Sequence, residues 1–284
     1  MLWETYCLVR IVLMYRGRAV PIVWSLSEHP SSSVAYEISK SVLDKVAELL
    51  PVRCTVVVTA DRGFTDTHLM KHLTGLGWHW RIRIKGSFWI DRHGTCHCKV
   101  IRIPLSAVQA LFWHHVSITR QEYGPVHLAL SRLIDCKEYW FVASDEPTEA
   151  KTFAEYGQRF DIEENFLDDK SHGFQLEASL IRSAKALERL CGVLAITTLY
   201  LVSQGIDVVN QGKWCWVDAH WFLGQSYLKI GWNWVKLALS RGYEIMTSLC
   251  LSGEADPAPA MASKIQQQKQ RQLFFAMEFQ DAVA

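Results

Sequence analysis

The sequence predicts an α/β fold in which helices cover a sheet, and three observations predict it. The stretch CTVVVTADRGF (54–64) holds Val56, Val57 and Val58 in one continuous apolar run. Such a run reads as a strand buried on both faces, central in a covered sheet. The stretch SSSVAYEISKSVLDKVAELL (31–50) carries serine caps and helical periodicity and ends before Pro51. Helical periodicity returns over 148–172, 176–204 and 219–240, after a region of short strand-like pieces. At 284 residues the chain exceeds one typical domain. One large domain with an insertion, or two domains, is therefore expected.

From the beginning, CLVRIVLMY (7–15) and AVPIVWSL (19–26) read as strands joined by a turn at Arg16-Gly17-Arg18. After the valine run, Asp61 stands at a strand's C-terminal end, where open α/β sheets place ligand sites. Gly63 permits a tight turn, and Thr65 or Asp66 can cap the helix that runs on to Leu76. WHWRIRIK (78–85) alternates: Trp78, Trp80, Ile82 and Ile84 face one way, His79, Arg81, Arg83 and Lys85 the other. That is the pattern of a half-exposed strand. Arg81, Arg83 and Lys85 on a single face also suit a phosphate backbone, so they are expected to line a DNA path.

Residues 88–146 break into short strand-like pieces and predict an inserted β-rich subdomain. In the helical stretch that follows, Tyr156, Arg159, Glu163 and Lys170 fall on one stripe, within about 60° of each other at about 100° per residue. Phe160 and Leu167 border the stripe on one side, Ile162 and Phe166 on the other. Asp161, Glu164, Asn165, Asp168 and Asp169 are expected on a solvated face. A carboxylate, two cations and a phenol aimed at a packed layer suit a site that handles phosphate and metal. The Trp-rich segments are expected to pack helical layers, and the tail from Glu254 to be mobile up to a short helix near 264–278.

Composition narrows the classes. Hydrophobic residues make up 49% and charged residues 21%, ordinary for a soluble globular protein. With a net charge of only +1, nucleic-acid binding has to come from local basic patches. The eight cysteines show no framework spacing and no secretory leader is read, which predicts reduced thiols in a cytosolic protein. Cys96-His97-Cys98 lacks a second ligand pair and reads as strand alternation. The apolar segment 190–202 falls short of the roughly 20 residues a bilayer requires, so no membrane partner is expected.

The spacing Tyr156-x2-Arg159-x3-Glu163-x6-Lys170 resembles the signature of a large group of DDE transposases from bacterial insertion sequences. TADRGF, with Asp61, looks like that family's second aspartate, and YRGRAVPIVW resembles its second and third strands. The resemblance implies a ribonuclease-H-like mixed sheet flanked by helices, with a β-rich subdomain inserted before the glutamate helix. It places the first part of the core at 1–87, the insertion at 88–146, the rest of the core at 147–250 and a polar tail at 251–284. It further implies Asp61 and Glu163 as catalytic carboxylates holding Mg²⁺ or Mn²⁺, with Tyr156, Arg159 and Lys170 on DNA phosphates. The implied partners are transposon-end and target DNA and a second copy in a synaptic complex, in the bacterial cytoplasm.

One feature departs from that pattern. The family's first aspartate should precede CLVRIVLMYRG, yet no aspartate occurs before Asp44, and Glu4, a candidate substitute, has no strand in front of it. An N-terminally incomplete, inactive transposase copy is the resulting expectation. A metal-dependent nuclease on the same fold and a non-catalytic DNA-binding fragment are the alternatives.

Overall fold

The computed structural model describes residues 5–28 and 35–256, apart from 93, 95, 107–108, 133–138, 221, 250 and 255. Glu4 and the expected tail helix near 264–278 lie outside the described residues. Two units can be distinguished, one from the described residues of Met1–Ser32 and Phe160–Lys269, the other from those of Ser33–Arg159. The fold is mixed α/β, with a large mixed sheet flanked by helices, in keeping with the expected class.

The first unit begins with an antiparallel hairpin of β1 (Tyr6–Tyr15) and β2 (Arg18–Glu28). Arg16 and Gly17 form its two-residue loop at φ +49 and +69. Two positive φ values match the twist of the flanking strands, which is why glycine belongs there. The ladder shifts register between Ile11 and Val12, next to Pro21, whose missing N–H is tolerated at a bulge.

Next come α4 (Phe160–Leu167), a π-helical turn over Asp168–His172, α5 (Ala184–Asn210) and α6 (Tyr227–Arg241); α1 to α3 belong to the second unit. The expected helices 176–204 and 219–240 are thus present with later starts, and the first runs on to Asn210. At 27 residues α5 is longer than the apolar run suggested, and by length and composition it could cross a bilayer. Its buried residues instead pack within the unit. Tyr6, Leu176, Leu187 and Leu194 form one cluster, and Leu201, Val202, Ile206, Tyr227 and Leu228 another.

Before α6, a loop is organised by Asp218, whose side chain is 0% exposed. Its carboxylate accepts from the backbone N–H groups of Gly224 and Gln225, both at 3.0 Å, and of His220 at 3.2 Å, and contacts the His220 ring. Burial alone pushes this carboxyl up, but the His220 ring and the three amides outweigh it and hold it below the ordinary Asp value. A depressed carboxyl stabilises above its unfolded pKa and loses that contribution as pH falls through the folded one. Asp218→Asn turns an amide donor toward backbone donors, so it is expected to cost about 2 kcal/mol at pH 7. The difference from wild type should shrink below about pH 4 in urea melts run across pH.

The second unit holds α1 (Tyr36–Leu49), β3 (Val57–Ala60), α2 (Thr67–Gly75), β4 (His79–Arg83), β5 (Trp89–Asp91), β6 (His97–Lys99), β7 (Ala110–Ile118), β8 (Tyr123–Arg132), β9 (Tyr139–Ser144) and α3 (Ala150–Gly157). The seven strands form one sheet in the order β3-β4-β9-β8-β7-β5-β6. Among the described residues only β3 and β4 are parallel, with α2 in the crossover between them, and the other pairs are antiparallel. Strands from residues 88–146 therefore extend the sheet that β3 and β4 begin.

Two expectations change here. The valine run is an edge strand among the described residues, with Val57 43% exposed, not a central one. The run buried on both faces is Val126–Ser131 in β8, between β7 and β9. Strand β4 is not half exposed: Trp80, Arg81, Ile82 and Arg83 are all buried, because α3 packs on the face that carries the arginines.

Candidate active site

Asp61 follows β3 and opens a short 3₁₀ turn, Arg62–Phe64, by accepting from the Gly63 N–H at 2.7 Å. A Cβ at Gly63 would lie 2.9 Å from that same carboxylate oxygen, so the turn needs glycine. Thr65 ties the turn to β4 by donating to the Arg83 carbonyl at 2.8 Å. Asp66, rather than Thr65, caps α2 through the His68 N–H.

Around Asp61 the second unit gathers three further expected residues. Tyr156, fully buried on α3, accepts from Arg159 Nε at 3.2 Å, and Trp140 meets its ring edge-on at 5.5 Å. Burial pushes the phenol up, with Arg159 and Arg83 pulling it down and Asp61 adding to the rise. Tyr156 is thus a neutral hydroxyl beside two guanidinium groups and a carboxylate. Arg83 also donates to the Tyr139 carbonyl at 2.8 Å. Guanidinium groups and a carboxylate gathered at a strand's C-terminal end are a combination that can bind phosphate.

Arg81 is placed differently. It is 4% exposed, and its fork is filled by Glu155 at 3.0 Å, Glu146 at 2.6 Å and Ser144 at 3.0 Å. Of the three cations expected along a DNA path, Lys85 alone is exposed. An alternating strand does not reveal this, because the carboxylates that enclose Arg81 come from 60 to 75 residues further along, as about that separation shows in the 81-to-155 pairing.

The expected single helix over 148–172 is broken. α3 ends at Gly157, residues 158–159 form a turn, α4 starts at Phe160, and Lys170 lies in the π-helical turn. A wheel at constant angle per residue does not apply across those breaks. Glu163, on α4, is exposed, and Lys170 is half-buried. The residues assigned to a solvated face are also redistributed. Asn165 and Asp169 are buried, Asp169 pairs with Arg10, and Asp168 pairs with Arg18 at 3.1 Å. Arg10 also lies 3.7 Å from the centre of the Phe166 ring. Hairpin arginines thus hold the acidic π turn, and Phe166 of α4, against β1 and β2.

Two groups escaped the sequence reading. His79, Asp145 and Glu146 bring ligand-type atoms within 4.8 Å of one another. Arg81 Nη2 already sits 2.6 Å from Glu146 and Arg81 Nη1 3.6 Å from Asp145, so a guanidinium engages both carboxylates of that cluster. His114, His115 and His127 meet across β7 and β8. The adjacent pair His114-His115 was the only sequence signal for them.

The family model described as "Transposase DDE domain" matches residues 37–200, more than half of the chain. No curated protein matches it. A piggyBac transposase, solved by cryo-electron microscopy as a synaptic complex with hairpin DNA, matches at 11% identity and a TM-score of 0.39. That match covers 98% of this chain and 58% of the other, so the chain spans less than two thirds of its length.

Proposed function

Because the chain belongs to the transposase DDE-domain family, we propose that it is the DNA transposase of a bacterial insertion sequence, working by metal-dependent phosphoryl transfer. The observation that carries this reading is the cluster of Asp61, Arg83, Tyr156 and Arg159 at the end of β3. Asp61 and Glu163 supply hard carboxylate oxygens, the donor type that Mg²⁺ or Mn²⁺ takes, so the residues fit the metal the family implies. When bound, the metal supplies charge stabilisation to the phosphoryl group and activates the attacking oxygen. Arg83, Arg159 and Lys170 hold DNA phosphates, with Lys85 on the exposed side. Tyr156, fully buried, orients Arg159 toward the phosphate by accepting from its Nε rather than touching DNA itself. Arg81 keeps its place among the acids and positions α3 against β4. The segment 88–146 serves as the family's β-rich insertion, and two copies act together on transposon ends and target DNA.

Only two carboxylates match the motif, so the 284 residues alone are expected to bind DNA without cutting it. The test incubates purified chain with Mn²⁺ and duplexes that carry the element's ends, and follows nicking on denaturing gels. The same assay is run on a chain extended by an upstream strand ending in aspartate. Extension should create nicking that Asp61→Asn and Glu163→Gln each reduce at least about a hundredfold, the effect of losing about 3 kcal/mol of transition-state stabilisation. Glu163-dependent nicking by the unextended chain would overturn the inactivity. Undiminished nicking by the extended Glu163→Gln variant would overturn the site assignment.

A further inference from the structure

On β7 and β8, Trp113 pairs with Leu128 and Val116 with Val126, so the two residues His114 and His115 oppose the single residue His127. This is a β-bulge, a device that re-aims side chains and is common beside functional sites. His114 Nδ1 lies 3.1 Å from His127 Nδ1, and the His115 ring centre lies 4.8 Å from that of His127. His127 is 6% exposed, whereas His114 and His115 are exposed. We propose that His114, His115 and His127 form a binding site for a borderline divalent metal such as Zn²⁺, open to solvent on the His114–His115 side.

Three observations carry it. Two imidazole nitrogens on a tetrahedral zinc, at about 2.0–2.1 Å each, lie about 3.3 Å apart. The 3.1 Å between His114 and His127 is close to that separation. His115 sits at φ +55, a left-handed conformation that glycine adopts without strain and other residues seldom do. A hydrogen bond between His114 and His127 explains their own approach, but not a strained histidine that brings a third ring to the same place. As placed, the His115 nitrogens stand farther from the other two rings than a shared ligand position allows, so the site requires the exposed His115 ring to turn until three imidazoles converge, with a fourth position left for water. Imidazole ligands favour zinc, nickel and copper over magnesium.

The site is separate from Asp61. β8 lies three strand steps from β3, about 14 Å at the usual strand spacing. It does not depend on the transposase reading. Two rival metal sites among the described residues are the His79–Asp145–Glu146 cluster, whose carboxylates Arg81 already engages, and the thiol pair Cys96–Cys98, whose sulfurs are 3.4 Å apart.

The test titrates the untagged 284-residue chain with Zn²⁺ against a chromophoric chelator and records the visible spectrum with Co²⁺. One equivalent should bind, with the absorption of tetrahedral nitrogen-ligated cobalt and no thiolate charge-transfer band. His114→Ala and His127→Ala should each weaken binding about tenfold or more. His115→Gly is the decisive variant, because it relieves the backbone and removes only the ring. It should match or exceed wild type in thermal stability without metal and lose the Tm rise that Zn²⁺ produces in wild type. No saturable binding would overturn the proposal, as would binding that persists in His115→Gly and His127→Ala. Binding that instead disappears in His79→Ala or Cys98→Ser would overturn it equally.

Discussion

Gly231→Ala is expected to unfold the α5–α6 pair, although alanine ordinarily favours a helix over glycine by about 1 kcal/mol. A Cβ at Gly231 would lie 1.9 Å from the Leu201 carbonyl oxygen, and one at Gly205 would lie 1.9 Å from that of Tyr227. Both obstacles are backbone atoms of the facing helix, so no rotamer change relieves them. The helices must separate, pulling apart Leu201, Ile206 and Tyr227 at one level and Val208, Ile230 and Trp234 at the next. The cost should be about 3 kcal/mol or more, at the upper end for overpacking. Gly192→Ala provides the control on the same helix. Its Cβ would meet only the tip of the Trp24 ring, at 3.2 Å, so it should change stability by less than about 1 kcal/mol, helix propensity offsetting a small ring shift. Urea melts followed by circular dichroism distinguish them. Equal midpoints for Gly231→Ala and wild type would mean that the helices do not cross so closely.

Arg81→Ala should be the most damaging single change in the sheet-bearing unit. The guanidinium links β4 to α3 through Glu155, to the end of β9 through Ser144, and to the loop beyond it through Glu146. Removing it leaves carboxylates facing one another. Breaking a fully buried pair costs about 3–5 kcal/mol, but Glu146 and Glu155 keep about a third of their surface in water, so about 2 kcal/mol is expected. Arg81→Lys should rescue little, since one ammonium cannot reproduce a fork that serves three partners. A double-mutant cycle with Glu155→Ala should give a coupling of about 1 kcal/mol. Because α3 also carries Tyr156, the loss should reach the Asp61 cluster and weaken the proposed DNA binding without any lost phosphate contact. A weaker salt dependence of that binding would instead mark Arg81 as a direct DNA ligand.

Local chemistry was legible in the sequence wherever neighbouring residues carry it. Arg16-Gly17 between two alternating apolar runs specified the hairpin, because a two-residue loop with positive φ depends on its own residues. Asp61 with Gly63 specified the turn after β3 for the same reason, and the Tyr156–Arg159 spacing of three brought that pair together across the turn that ends α3. Tertiary structure alone decided what distant segments contribute. A run of three valines is equally at home on an edge or in the centre of a sheet, and only the pairing of β8 between β7 and β9 determined which run is enclosed. Arg81 looked like a surface cation because Glu146 and Glu155 approach it only once β9 and α3 are in place. Asp168 and Asp169 looked solvated because Arg18 and Arg10, some 150 residues earlier, become their partners only on folding. The three histidines converge because a bulge sets two residues against one. Register of that kind is a property of a strand pair, and neither strand's own sequence contains it.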